Sequence, residues 1–576
     1  MQKVVLEEDH EDTIKTKYGI AICLYDKKEF NGAEQLYIEV ENVQIGVLGE
    51  KHVDTLNTKH WFARCLYEKK QFNDAENLFR ELEITRKEVL GEEHTDSVNS
   101  KYWIARCLHD KKLFDETERL LREIEIIQNK VLGEKHLDTI NTKYWIARCL
   151  YNKKQLDDAE KLFTEVENLQ KEVLEENHED QLSTKYWFAR YLYNENQFDE
   201  AKKLLRDVYN MRMEHFGDKH LDTLNSKYCI GRCLYKKKKI DDAENLLIEV
   251  EKYQKIVLYS KHEETMDTKF WIAKCYFENN QFDVAEVLLR EVENTQKEVF
   301  GNKSEEILNT EYWIALCLYC KKQFDYAEKL FTDVENMRKE NLGEKHVDTL
   351  KSKFWIARCF YDKKQFNDAE KIFQEVKNMQ EEVLGIKDAE TLIAKYWIAR
   401  CLFDKKQINN AQILFKETEN LQKEVLGDEH ADTLNSKYWI ARCLYEEKQF
   451  DATEILLKEV ETLQNKVLGM KHVNSLITKY WIARSLYEKK QFDEAEKVFS
   501  DLENMQNEIL GVKHVDALNT KYWIARCLYD RSEFDDAEKL LKEVETMQEE
   551  ILGKENANTL YTKYWIAKCI DEKRFK

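Results

Sequence analysis

The sequence predicts an all-α fold, an α-α solenoid of thirteen antiparallel helix pairs plus one terminal helix. Three observations carry that reading: a 42-residue repeat without insertion or deletion, a complete absence of proline, and two apolar stripes in every repeat. Self-similarity at such a period marks stacked two-element units rather than separate globular domains. At ordinary usage about 29 prolines would be expected in a chain of this length, so their absence removes the principal helix breaker.

Tryptophan shows the period best. It occupies twelve of fourteen equivalent slots, from Trp61 to Trp565, and Gly19 and Cys229 hold the other two. Within one repeat, taken at residues 430–469, each element has its own cause. Asp432 or Thr433 is expected to cap helix A, because a short oxygen-bearing side chain accepts from an orphan N–H. Leu434, Tyr438, Ala441 and Tyr445 recur at i, i+4, i+7 and i+11, one apolar stripe, which Ile440 and Leu444 widen. A polar corner at 446–449 ends helix A. Phe450, Thr453, Leu457, Val460, Leu463 and Val467 make the stripe of a longer helix B, and Gly469 stops it by supplying a left-handed residue. The pattern divides the chain into thirteen pairs over 12–553, the end of a preceding helix B over 1–8 and an unpaired helix A over 554–576. Residues 1–576 thus read as one continuous solenoid.

Small Ala441, the aromatic that opens helix B and the corner LGxxHxDT at 426–433 resemble the tetratricopeptide repeat, specifically the 42-residue kind found in kinesin light chains. The chain departs from that pattern in three ways. Val, Leu, Ala, Glu or, once, Thr follows the corner His where the family usually has Pro. The slot of Lys437, commonly apolar, is Lys in 13 of 14 repeats, and its ammonium is expected to reach a helix B glutamate such as Glu454. Tryptophan stands where kinesin light chains often carry asparagine. No heptad coiled coil and no nucleotide-binding domain accompany the repeats, and GNKS at Gly301 lacks the first glycine of a phosphate loop. The resemblance implies a right-handed superhelix lined by helices A, with a groove that receives protein partners.

Nothing in the pattern suggests chemistry. His recurs in eleven corners, from His10 to His514, and Cys at twelve helix A slots. Neighbouring helices pack about 8–10 Å apart, so equivalent residues of adjacent repeats share neither a metal nor a disulfide. The histidines are expected to make corner hydrogen bonds, and the cysteines to be small packing groups in a reducing compartment. The pairs Cys229/Cys233 and Cys317/Cys320 each offer half a metal site with no second half. A non-enzymatic protein without cofactor or metal is expected. No apolar run approaches 18 residues and no signal-peptide core is visible, which predicts a cytoplasmic protein without a membrane span.

A second stripe lies one residue round from the core stripe: Asn435, Trp439, Arg442 and Glu446. The resemblance places it on the inner wall. One reading is packing, each indole against the next helix A with arginine over its ring. The other is a groove of apolar platforms and forked donors for an extended peptide with acidic and apolar residues. Charge separates the repeats. Glu68, Asp110, Asp362 and Asp404 follow their arginines by one turn, whereas Arg148, Arg190 and Arg232 face Asn152, Asn194 and Lys236, the last opening a run of four lysines. In the same region Cys229 replaces Trp, Gly231 replaces Ala, and the corner glycine is lost at Glu175 and Tyr259. Repeats four to six therefore form an electropositive, irregular window, with drift in a redundant array as the alternative. Its candidate peptide-binding residues are Asn141, Trp145, Arg148, Asn152, Trp187, Arg190, Asn194, Asn225, Arg232 and Lys236.

The expected function is an interaction scaffold or adaptor that holds a protein segment. A sensor array detached from an effector domain is the alternative. Single-stranded nucleic acid has stacking platforms here, but the net charge of −20 and the acids beside most arginines oppose a phosphate track. End-to-end association of copies is open, since the pattern leaves an unfinished apolar face at each end.

Overall fold

The computed structural model describes residues 10–175, 178–301 and 304–575. Its described regular elements are 27 helices, numbered in chain order from α1 (Glu11–Asp26) to α27 (Ala557–Phe575). Odd-numbered helices up to α25 (Val515–Asp530) are helices A of 16 residues, and even-numbered ones are helices B of 18 or 19. The segment 1–8 and the middle of GNKS lie outside the described residues. Among the described residues no helix is long and apolar enough to cross a membrane.

The chain divides into two compact units, Met1–Asn280 with α1–α13 and Gln281–Lys576 with α14–α27. Inside each unit every helix packs on its sequence neighbours. In the first unit helix A also meets helix A of the next repeat, as α9 (Glu179–Asn194) does with α7 (Leu137–Asn152) and α11 (Leu221–Lys236).

Both stripes are buried in their central parts. In the specimen repeat Leu434, Ala441, Cys443, Leu457 and Val460 are inaccessible or nearly so. The end of the helix B stripe differs from expectation: Val467 is exposed and Gln464 is buried instead. The reason is polar, since Gln464 Oε1 accepts from Thr478 Oγ1 of the following repeat (2.8 Å), a bond that recurs through the array.

The helix A cap also needs correction. Helix A starts at Ala431, so His430 is the capping residue, and its Nδ1 accepts from the Asp432 N–H at 3.2 Å. Asp432 then lies in the first turn, where a carboxylate suits the positive end of the helix, and Thr433 Oγ1 donates to the Gly427 carbonyl instead. Eleven helices are capped by histidine in this way. Gly469 has φ 91°, the expected left-handed stop, whereas Tyr259 takes φ 69° with a side chain attached. Lys437 reaches Glu459 of its own helix B (2.7 Å), not Glu454, which is held by Lys458 and Lys489.

Candidate functional site

The tryptophan–arginine stripe builds a stack in which each guanidinium lies between two indoles. The closer indole usually belongs to the next repeat. Arg358 is 3.6 Å from the Trp397 ring centre, Arg400 3.7 Å from Trp439, Arg484 3.7 Å from Trp523 and Arg526 3.3 Å from Trp565. Their own indoles lie at 5.3–5.7 Å. A helix B phenylalanine stacks on the indole from the core side, as Phe415 does on Trp439 (6.2 Å, 19°). Ten of the twelve tryptophans are therefore half-buried, and Trp145 and Trp271 are buried.

A tyrosine closes the stack. Tyr361 Oη accepts from Arg400 Nη2 (2.7 Å) and donates to the Asp404 carboxylate. Tyr319, Tyr445 and Tyr487 do the same for Arg358, Arg484 and Arg526 and the acids one turn beyond them. The acid thus receives a relayed hydrogen bond besides, from Arg358, Arg484 and Arg526, a looser ion pair of 3.4–3.8 Å. The period of the sequence pointed to the acid, but the tyrosine stands three residues after the preceding repeat's arginine and six after its tryptophan, on what read as the core stripe, and escaped notice.

In repeats four and five the relay is absent. Asn152 bonds to His109 (3.1 Å), and Asn194 donates to Tyr151 Oη (2.9 Å), so the hydroxyl is engaged from the wrong side. Arg148 and Arg190 keep ring contacts, 4.0 and 4.2 Å from Trp145 and Trp187 for the first and 4.3 Å from Trp187 for the second. Among the described residues neither makes a hydrogen bond or ion pair. Burial holds Arg148 below the usual guanidinium range. Beyond Arg190 the next indole is missing: Cys229 takes its place, 3.4 Å from Tyr186 Oη.

That loss leaves space. A cavity of about 240 Å³ lies between Arg190, Arg232, Cys229 and Asn194. A larger one of about 530 Å³ runs across repeats four to seven. It is lined by Arg148, Trp187, Arg190, Asn225 and Arg232 of the expected set, together with Tyr186, Arg212, Gln254, Glu264 and Asp267. The remaining expected residues stand apart. Asn141 lines a separate pocket with Asp96 and Asp138, Trp145 is covered on its rings by Arg106 and Arg148, Asn152 is tied to His109, and Lys236 is exposed.

Arg212 was legible but missed. Helix B carries Gln at its slot in ten of thirteen repeats and Arg at 86, 212 and 338. Arg86 and Arg338 donate through Nη1 to a backbone carbonyl and a serine of the next helix A, and through Nη2 to Asn57 and Asn309 at 2.9 Å. Arg212, 4% exposed, makes the first set with Asp222 and Ser226 at 3.0 Å. The Asn position, however, is Ser183, which makes no bond to Nη2.

On the C-terminal side of the cavity, Tyr228 Oη donates to Asp267, and burial lifts the Glu264 carboxyl above its usual range against the pull of Asn225 and Lys70. Lys274, which replaces arginine in repeat seven, is brought down to about 8 by burial and the adjacent Lys236 and Arg232. Burial pushes Cys233 and the other buried ladder cysteines up to about 12, and Cys569 to about 11, so they are thiols at neutral pH. Among the described residues no group of three or more His, Cys, Asp or Glu is placed to hold a metal ion.

Two family models, both described as tetratricopeptide repeat, match residues 55–96 and 138–214. Similar solved structures include a putative kinesin light chain of Podosopora anserina with nearly identical TPR-like repeats, 24% identical, covering 36% of this chain and 98% of that one at a TM-score of 0.30. The apo quorum sensor NprR from B. thuringiensis is 15% identical over 64% of this chain and 99% of that one, TM-score 0.48. BtubC (BKLC) from P. vanneervenii is 12% identical over 43% and 93%, TM-score 0.32. No curated protein matches significantly in sequence.

Proposed function

We propose, from the premise that this chain is a tetratricopeptide-repeat array similar to the kinesin-light-chain kind, that it is a non-enzymatic scaffold for protein partners. Its peptide site is the window of repeats four to seven, and it receives an extended segment with acidic and apolar residues. One observation carries the reading: Arg148 and Arg190 sit in a cavity with their rings supplied and their hydrogen bonds unsupplied. In repeats three, nine, ten, twelve and thirteen the same arginine is consumed by tyrosine and acid, so the stack there is packing. A buried donor without acceptor costs free energy that a ligand carboxylate would recover.

The test compares two double variants of the full chain in capturing peptides from a displayed library of random twelve-residue sequences. Arg148→Gln with Arg190→Gln removes open arginines, and Arg400→Gln with Arg484→Gln removes closed ones. Charge-assisted contacts in a desolvated site contribute about 2–5 kcal/mol, so the first pair should cut affinity at least about tenfold. The second should change it less than about threefold. Equal losses, or none, contradict the site.

A further inference from the structure

The cavity across repeats four to seven is charged with both signs. Its N-terminal repeats contribute Arg148, Arg190 and Arg212, and its C-terminal ones Glu263, Glu264 and Asp267, with Asp222, near His220, and Arg232, near Asp267, between them. No ion pair joins the two sets among the described residues. Each set has unused capacity. Among the described residues Arg212 is bonded only through Nη1, Arg148 and Arg190 offer their forks, Glu264 Oε2 is buried without a partner, and Glu263 is exposed. Between them Gln254, 1% exposed, turns an unpartnered Oε1 into the same cavity.

Three of these features are departures from what most repeats carry, and they fall together. Arg212 stands for Gln, Ser183 for the Asn that would answer it, and Asp267 for the Asn most common at its slot. With Cys229 in place of Trp, the cavity is opened, given a donor and given an acid by residues that change nowhere else in combination.

Separated, unpaired charges of opposite sign in one partly desolvated cavity are costly alone and are completed by a ligand carrying both. Resting on the peptide-site reading above, we infer that the occupant is a dipolar peptide segment. Its carboxylate side chain meets Arg148, Arg190 and Arg212, and a lysine or arginine further along meets Glu263, Glu264 and Asp267. Gln254 Oε1 takes a backbone N–H between the two. Two repeats separate the sets, roughly 20 Å at ordinary helix spacing, so about four to six extended residues span the charges.

The test selects random twelve-residue peptides by display on the full chain, then measures one enriched peptide against variants. Arg212→Gln and Asp267→Asn both restore the residue usual at their slots, so the fold is kept. Ser183→Asn supplies Arg212 with the partner that Asn57 gives Arg86. Enriched sequences should carry Asp or Glu with Lys or Arg four to six positions away. Arg212→Gln and Ser183→Asn should each weaken binding about fivefold or more. Glu264→Gln with Asp267→Asn should weaken it about tenfold, and only while the peptide keeps its basic residue. Peptides that are purely acidic, or that respond to the arginine variants but not to the acid pair, overturn the dipolar inference and leave the peptide site standing. A selection that enriches nothing, or peptides indifferent to Arg148→Gln with Arg190→Gln, overturns both.

Discussion

Repeats nine to thirteen and repeats four to seven use the same tryptophan–arginine stripe to different ends. In the former, Arg400 touches two indoles, a tyrosine hydroxyl and, through it, Asp404, so both its Nη groups are spent on the fold while Nε stays unpartnered among the described residues. In the latter, asparagine replaces the acid at 152 and 194, and the amide donates where the carboxylate would accept. The tyrosine oxygen is then filled by the amide, and Arg190 is left stacked on Trp187 without a hydrogen bond. A single atom's change of role, acceptor to donor, separates a packing element from an available cation. A repeat array can thus vary one position in an otherwise constant stack and create a site without altering the coil.

The sharpest way to break this contrast is to remove the arginine from each side. Arg400→Gln strands Tyr361, Asp404 and two indole faces, and should cost about 3 kcal/mol. Arg190→Gln loses only ring contacts and should cost about 1 kcal/mol. Hydrogen exchange of α19 (Ala389–Asp404) and α9 reads the two losses locally, which suits an array whose unfolding need not be all-or-none. Equal costs would mean that the tyrosine relay contributes nothing.

Closing the open side is the converse. Cys229→Trp should place an indole in the cavity of about 240 Å³ between Arg190 and Arg232. Burying it should gain about 2 kcal/mol for α11 while abolishing peptide capture. A gain in protection with capture intact would detach the site from the gap in the ladder.

A third break is by pH. His60 occupies, in repeat two, the core-stripe slot that is Tyr438 in the specimen repeat, and burial holds it neutral, its pKa brought down to about 3. As pH falls below the unfolded value near 6.5, the unfolded chain takes up the proton first. Stability is therefore full above that pH and falls by up to about 1.4 kcal/mol per unit between there and about 3. His60→Tyr should flatten this slope. The difference between the two proteins in urea at pH 7 and pH 5 isolates the effect.

The smallest effect concerns the corners. Tyr259 holds φ 69° where other repeats have glycine, so Tyr259→Gly should stabilise by about 1 kcal/mol or less. Thermal melting of the full chain would detect it as a rise of a degree or two.

The period, the two stripes and the glycine stops were legible because each depends on spacing and residue type alone. The histidine cap was not: His430 and Asp432 both fit a helix start by composition, and only the frame of the first turn decides between them. Gln464 was overlooked for a related reason, since a polar residue in an apolar stripe reads as its edge until its partner Thr478, fourteen residues on, is seen. For the site, charge bookkeeping along helix A found Arg148, Arg190 and Arg232. It could not find Arg212, Gln254 or Glu264, because helix B and the first turn of helix A bring them into the cavity from other positions. It passed over Asp267, which lies in the stripe itself at the slot of Asn435, because only the residue one turn beyond each arginine was compared. The slot of Arg212 was nevertheless marked in the sequence, by arginine against a background of glutamine.

The central claim, that the open stretch of the ladder is the peptide site, is tested most directly by hydrogen exchange of the full chain with and without a display-selected peptide. Added protection should be confined to residues 144–151, 183–193, 222–232 and 263–268, with residues 396–404 and 438–446 unchanged. Protection spread evenly along both stretches, or confined to the closed one, would contradict it.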